Sequence, residues 1–388
     1  MTLAACLDLA ILGAGSAGLS LAAALAASPA SRDWKVALIE ARAGPPPERS
    51  FAFWVTPAEL ERLPWPLLGQ WSSWRFADRA GRERVWDGGG VRCYVAVSAL
   101  THRRHCLEQI ERRPGFVLIE GIPVHALLPE SQAVTIEGEG LRVRARRVVD
   151  ARNHADRDPL QAQLYQQFLG QIVQLRAPVG APRRADLMTD MSADAHGFRF
   201  VYRLPLTPDR ILVEETRFTP RILPWQRLEA DGQTASAALP AQIDAVLGTE
   251  RGIIPMGLSA VPPPSDPRIR LAGTRGGAVR AATGYAFRRI QDWAERNVRQ
   301  VERGGLDALT GHPPEPRWRV AMDRLFLEVL RRHPHRAPDL FMALAEGLNG
   351  VQLADFLSDR GGLPTAARVV RAMPTWLFLS VALRRGRS

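Results

Sequence analysis

Lysine is almost absent from this chain. It has 388 residues, 51 of them Lys or Arg, and a formal charge of +11, yet Lys35 is the one lysine. Surplus positive charge can mark nucleic acid, an anionic membrane or an acidic ligand. No recognised nucleic-acid module accompanies it, and arginine with abundant Ala, Leu, Pro and Gly is the mark of a GC-rich genome, so no nucleic-acid partner is expected. Cysteine is scarce as well. Cys6, Cys93 and Cys106 are far apart, odd in number and form no CxxC. This excludes a disulfide framework and a thiolate zinc site, and points to reduced thiols in a reducing compartment. No apolar run approaches the roughly 20 residues of a spanning helix. No signal peptide is visible, because the N-terminus runs almost straight into a strand, and no segment repeats. A hydrophobic content of 46% supports a large core rather than disorder. At roughly 150 residues per domain, the length suggests two or three structural units.

What is present begins at Leu7. LDLAIL is a short apolar strand, GAGSAG follows, SLAAALAAS is a strong helix former, and WKVALIEAR is a second apolar strand ending at Glu40. This is a βαβ unit carrying a GxGxxG fingerprint. Gly13 permits the tight turn, Gly15 lets a pyrophosphate approach the backbone over a helix N-terminus, and Gly18 lets helix and strand pack closely. Glu40 is placed to accept hydrogen bonds from a ribose. The N-terminal position and the terminal acid fit FAD in a flavoprotein of the hydroxybenzoate-hydroxylase type. Such proteins carry later segments that close over the flavin. RRVVDARN (146–153) is one candidate, with Asp150 capping its turn. IRLAGTRGGAVRAATGYAF (269–287) is another, a strand entering a loop with Gly273, Gly276, Gly277, Thr283 and Gly284 before a helix. The expected fold is α/β: a Rossmann-like FAD-binding domain, a β-sheet substrate domain and a helical C-terminal part. Residues 1–75, 91–155 and 250–300 are assigned to the first, 76–90 and 156–249 to the second, and 301–388 to the third.

Residues 197–218 read GFRFVYRLPLTPDRILVEETRF, a hairpin with period-2 patterning turned at Pro208–Asp209. Neighbours on a strand face opposite sides, so Leu212, Glu214, Thr216 and Phe218 share one face and Ile211, Val213, Glu215 and Arg217 the other. Glu215, with Arg217 beside it, reads as a paired structural acid. Glu214 sits in apolar company. It is either a hydrogen-bonded core acid or a carboxyl whose pKa is raised and which serves as a general acid; patterning leaves both open.

These residues resemble the bacterial lycopene cyclases. The resemblance rests on LDLAILGAGSAGLS, ERSFAFWV (48–55), QQFLGQ (166–171), LMTDM (187–191) and the hairpin, whose Glu214, Glu215 and Thr216 match the family's Glu-acid-Thr motif; GTRGGAVRAATGY is similar to its later flavin loop. The chain departs from the pattern at Thr189, which interrupts a Met-Asp pair, and at Arg280 and Ala281, where the family tends to show His and Pro. The resemblance implies Glu214 and Glu215 as catalytic candidates, reduced FAD as cofactor, NADPH or NADH as reductant, and lycopene as substrate. It also implies a reaction without net redox change, proton-initiated closure of the acyclic end groups to beta rings. An FAD monooxygenase shares the plan, but usually carries Gly-Asp where this chain reads Gly273–Thr274. A prenyl-chain reductase and a non-enzymatic flavin or membrane protein are further alternatives.

HRRH (102–105) reads as a solvated basic face and RRHPHR (331–336) as a loop, since no acid or third His completes a metal site. The tryptophans of WPLLGQWSSW (65–74) read as core. The C-terminal region reads as helical with no flavin role. Its end, MPTWLFLSVALRRGRS, is too short to span a bilayer and suits an interfacial helix on an anionic surface, or else a packed terminal helix. A cytoplasmic protein peripherally bound to a bacterial membrane is the expectation.

Overall fold

The computed structural model describes residues 6–153, 160–178, 183–239, 241–259 and 261–385. Strands Leu7–Leu12, Val36–Ile39 and Phe116–Ile119 lie parallel in one sheet, with Leu141–Asp150 parallel on the other side of Leu7–Leu12. Val134–Gly138 and Val124–Pro129 extend this sheet antiparallel. Ile269–Leu271 joins it from far along the chain, parallel to the end of Leu141–Asp150. The first two strands are near-continuous apolar runs because both faces are covered. Helix Ser16–Ala27 packs between helices Ala99–Glu111 and Phe287–Gly304. Its Ala/Leu sequence buries nearly every side, as a helix enclosed on both flanks requires.

The second sheet has seven strands in the order Ile243–Leu258, Ala162–Leu175, Arg210–Thr219, Gly197–Thr207, Arg184–Asp194, Ser73–Asp78 and Glu83–Asp87. All neighbours are antiparallel except Arg184–Asp194 with Ser73–Asp78. Boundaries at 76 and 250 therefore fall inside strands, not between units. A third sheet, Ser50–Val55, Cys93–Ser98 and Gly69–Trp71, touches strand Gly197–Thr207 of the second sheet and helix Phe287–Gly304.

The hairpin alternates as its sequence predicts. Phe198, Phe200, Leu212 and Phe218 point into an aromatic core shared with Trp71, Trp74, Trp86 and the C-terminal helices, where Phe198 stacks on Phe341 at 5.0 Å. Burying each such ring stabilises the fold by about 1.5–3 kcal/mol. The opposite face packs Val201, Ile211 and Val213 under helix Trp225–Ala237.

HRRH is not a solvated face. His102 is 1% exposed. The helix buries His102, Cys106 and Ile110, a stripe at intervals of four that the apolar count alone does not reveal. His102 Nε2 lies 3.2 Å from Ser20 Oγ and 3.5 Å from Cys106 Sγ. RRHPHR ends helix Arg317–Arg332 and continues as a short 3-10 turn.

Candidate active site

The glycine loop performs three separate jobs. Gly13 has φ +94°, a conformation that disfavours a side chain. A Cβ on Gly18 would stand 2.0 Å from the Gly13 carbonyl oxygen, so helix and strand meet there because no side chain intervenes. A Cβ on Gly15 would meet nothing within 4 Å; this residue borders open space. No side chain caps the helix that begins at Ser16, so its first N–H groups remain directed to that space. Glu40 reaches back to the loop, accepting from Ala14 N–H at 2.6 Å and from Arg42 N–H at 3.0 Å.

Asp150 does cap its turn, accepting from Arg152 N–H at 3.1 Å. Its carboxylate is also held by the Arg152 guanidinium at 2.8 Å, which keeps it below the usual carboxylate range against the pull of burial. The cavity wall here is formed by Ala151 and Asn153, not by Asp150. In the second loop, Gly273, Thr283 and Gly284 line the cavity, while Gly276 and Gly277 face a separate depression. Gly284, at φ +72°, lies over Gln166, whose Oε1 a Cβ would meet at 2.5 Å. That oxygen is buried without a hydrogen-bond partner.

The cavity, about 390 Å³, runs from Gly15 to Glu214. Phe168, Leu204, Leu212 and Ile254 give it apolar walls, and Tyr94, Tyr202 and Tyr285 surround its far end. Tyr202 is the register partner of Glu214, and the Tyr94 and Tyr285 hydroxyls lie 3.4 Å apart. Burial pushes Tyr94 and Tyr202 well above the phenol range and Tyr285 up to about 12, so all three are neutral hydroxyls.

Glu214 is half-buried because it borders this cavity. Burial, then the negative charge of Glu250, raises it well above the ordinary glutamate range; Thr216 Oγ–H, donating at 3.1 Å, pulls the other way. A neutral carboxyl thus faces apolar walls. Glu215 is fully buried on the other face, outside the cavity. It is held by an arginine, as expected, but by Arg199 and not by Arg217: both oxygens accept from Arg199 at 2.8 Å. Arg217 is engaged by Asp194 and Asp231. A long arginine on the neighbouring strand reaches a diagonal position, whereas side chains two apart on one strand run alongside each other.

The sequence reading did not assign Ser50, Gln166, Gly170 or Tyr285, although ERSFAFWV, QQFLGQ and TGY contain them. It missed Glu250 and Tyr94, which only long-range pairing brings to the site.

Gly15's open space, the uncapped helix and the unpartnered Gln166 oxygen together fit an elongated ligand with an anionic middle and a polar ring edge. A family model described as lycopene cyclase protein matches residues 8–382. A lycopene beta-cyclase from Paracoccus sp. (strain N81106 / MBIC 01143) is 29% identical over 233 residues, 55% of this chain and 56% of that one. The chain spans between 39% and 56% of the length of the curated relatives it matches. A geranylgeranyl bacteriochlorophyll reductase-like protein from Thermoplasma acidophilum shares the fold with TM-score 0.61 at 12% identity, over 97% of this chain and 98% of that one. The CtdE protein crystallised with FAD and a substrate does so with TM-score 0.56 at 12% identity, over 88% and 90%. The fold is that of the FAD-dependent monooxygenase and reductase-like flavoproteins. With the family model matched across nearly its whole length, the chain belongs to the lycopene cyclase protein family.

Proposed function

We propose that this protein is a lycopene beta-cyclase, an isomerase that closes the acyclic end groups of lycopene in carotenoid synthesis. One observation carries the reading: a single cavity joins the glycine loop to Glu214, a carboxyl held neutral among apolar and aromatic walls. Glu214 donates its proton to C2 of the end group, which leaves a tertiary cation at C1. The C5–C6 double bond attacks C1, the C1–C6 bond closes, and the cation moves to C5. Loss of the C6 proton to the Glu214 carboxylate restores the acid and gives the C5–C6 double bond of a beta ring. Atoms and electrons balance without an oxidant. The phenyl and phenol faces of Phe168, Tyr202 and Tyr285 exclude water and offer π-density to the cation.

Gly15, the helix starting at Ser16, Glu40, Gln166 and the Gly273–Gly284 loop would hold FAD. Bound and reduced by NADPH or NADH, it would supply negative charge beside the developing cation.

A hydrophobic substrate comes from lipid. Among the described residues, no single helix is long and apolar enough to cross a membrane. Helices Gly362–Ala372 and Thr375–Arg385 meet at a 97° bend, and expose Leu363, Val370, Trp376, Leu379 and Leu383. Arg368, Arg371 and Arg384 accompany them. We read this corner as a peripheral contact with an anionic bilayer, on the cytoplasmic side, where the reductant is available.

The test is an anaerobic incubation with lycopene in liposomes, FAD and NADPH, with products separated by chromatography. A cyclic product of unchanged mass in H2O, deuterated when made in D2O, is expected. An oxygenated product formed only with oxygen, or a reduced one, overturns the reading.

A further inference from the structure

Three adjacent strands set Glu214, Gly170 and Glu250 abreast. Gly170 is the register partner of Glu214 on one side and of Glu250 on the other. Directly opposed residues project from the same face of a sheet, so the two carboxyls lean together over a residue without a side chain. A Cβ at Gly170 would stand 2.9 Å from Glu250 Cγ and 3.2 Å from its Oε1. The Glu250 side chain fills the room the glycine leaves.

Glu250 is 5% exposed and receives two hydrogen bonds from Ser50. The Ser50 N–H donates to Oε2 at 2.5 Å and its Oγ–H to Oε1 at 2.6 Å. Across Gly170 the negative charge of Glu250 acts on Glu214. Two carboxyls that project side by side from one face of a sheet into a largely apolar site do not both ionise near neutrality. Burial raises Glu250 as well, but the two Ser50 donors favour its anion, whereas Glu214 is raised well above the glutamate range; the pair's proton therefore rests on Glu214. The other groups facing the pair are few. Glu48 and Arg49, on the segment before the Ser50–Val55 strand, act on Glu250 with opposite signs. Thr216 and the neutral hydroxyls of Tyr94, Tyr202 and Tyr285 face Glu214.

We propose that Glu250 is the positioning residue of the acid: it accepts the hydrogen bond of the Glu214 carboxyl and holds the pair at one proton, and Gly170 is bare so that the two can meet. The proposal rests on Glu214 as proton donor. In each turnover the proton leaves Glu214 for the substrate carbon. The pair then carries two negative charges beside the cation, and the proton released by the new ring returns to Glu214.

The test is Glu250→Gln, close in shape, in the full chain with FAD bound. The infrared carbonyl stretch of the protonated carboxyl is followed against pH and assigned by its loss in Glu214→Gln. Its midpoint is expected to fall by roughly 1 pH unit or more, since a like charge has been removed. The alkaline limb of kcat/KM for ring closure should fall with it. Glu250→Asp, which keeps the charge, should keep the midpoint near the parent's. An unchanged midpoint in a Glu250→Gln protein of parental Tm overturns the proposal. If that variant does not fold, Gly170→Ala, which drives a Cβ against Glu250, must give the same downward shift. The infrared titration needs no turnover. Full ring-closing activity in Glu214→Gln would therefore defeat the proposed function and leave the pair to be judged separately.

Discussion

Arg280 and Asp323 form a buried ion pair, Nε to Oδ2 at 3.1 Å, that fastens the second glycine loop to the C-terminal helices. Asp359 lies 3.0 Å from the same guanidinium, and the Phe356 ring lies beneath it at 4.6 Å. His312 reaches the loop as well, its Nε2 accepting from Gly273 N–H at 3.1 Å. The C-terminal region, read from sequence as having no part in the site, supports its wall. Arg280→Met leaves the buried Asp323 without its cation, while Asp359 keeps Arg289 and Arg319, and should cost about 3–5 kcal/mol. Thermal denaturation should show the loss, with partial recovery when Asp323→Asn is added.

Gly15→Val separates binding from folding. Backbone at Gly15 is ordinary, φ −74° and ψ −176°, and no atom lies where a Cβ would stand. The variant should fold with parental Tm and emerge colourless, measured by the flavin absorbance of purified protein. Gly18→Val, forced against the Gly13 carbonyl, should lose stability instead.

Glu214→Gln keeps the shape of the side chain and removes the acid. Ring closure should fall by roughly two to four orders of magnitude, the usual contribution of general acid–base catalysis. Flavin absorbance and Tm should stay near the parent's.

Acid should loosen the fold before it protonates the surface carboxylates. Burial, then the charge of His105, lowers His102 from 6.5 to about 4, and burial lowers His312 to about 3. Between pH 6.5 and 4 the unfolded chain binds protons that the native chain refuses. Stability is therefore present above 6.5 and lost as pH falls, by about 3 kcal/mol from His102 alone. His102→Gln should flatten Tm against pH in that window. Glu59 and Glu328, held at about 2 by Arg360 and by Arg331, add losses below pH 4.5.

The final helix has two apolar faces. Leu377 and Val381 are in the core, while Trp376, Leu379 and Leu383, spaced for one stripe, are 56–74% exposed. Deleting the helix would damage the core. Changing Trp376, Leu379 and Leu383 to Ser should move the protein from liposome pellet to supernatant with little change in Tm.

Local signals were legible. The βαβ unit follows from two apolar strands, a helix former and three glycines, all within 34 residues of one another from Leu7 to Glu40. The alternation that parts Glu214 from Glu215 needs only the period of a strand. The partners of those acids were not legible. Arg199 reaches Glu215, and Glu250 reaches Glu214 across Gly170, through the register of separate strands, which no window of sequence contains. His102 was misread for a related reason: its burial depends on Ser20 and Gln291 arriving from two other helices.

The return of Ile269–Leu271 to the first sheet has a consequence for assembly. The chain leaves that sheet at Asp150, lays down five strands of the second sheet, and only then comes back to pair with Val148–Asp150. Pairing over such a separation is slow, because loop-closure entropy must be met before contacts offset it. The nascent N-terminal segment therefore displays a complete glycine fingerprint beside an unfinished sheet edge, with no opposing wall at Gly273–Gly284. The cavity has both its walls only after that return, and until the edge at Asp150 is closed an unpaired strand end is open to aggregation.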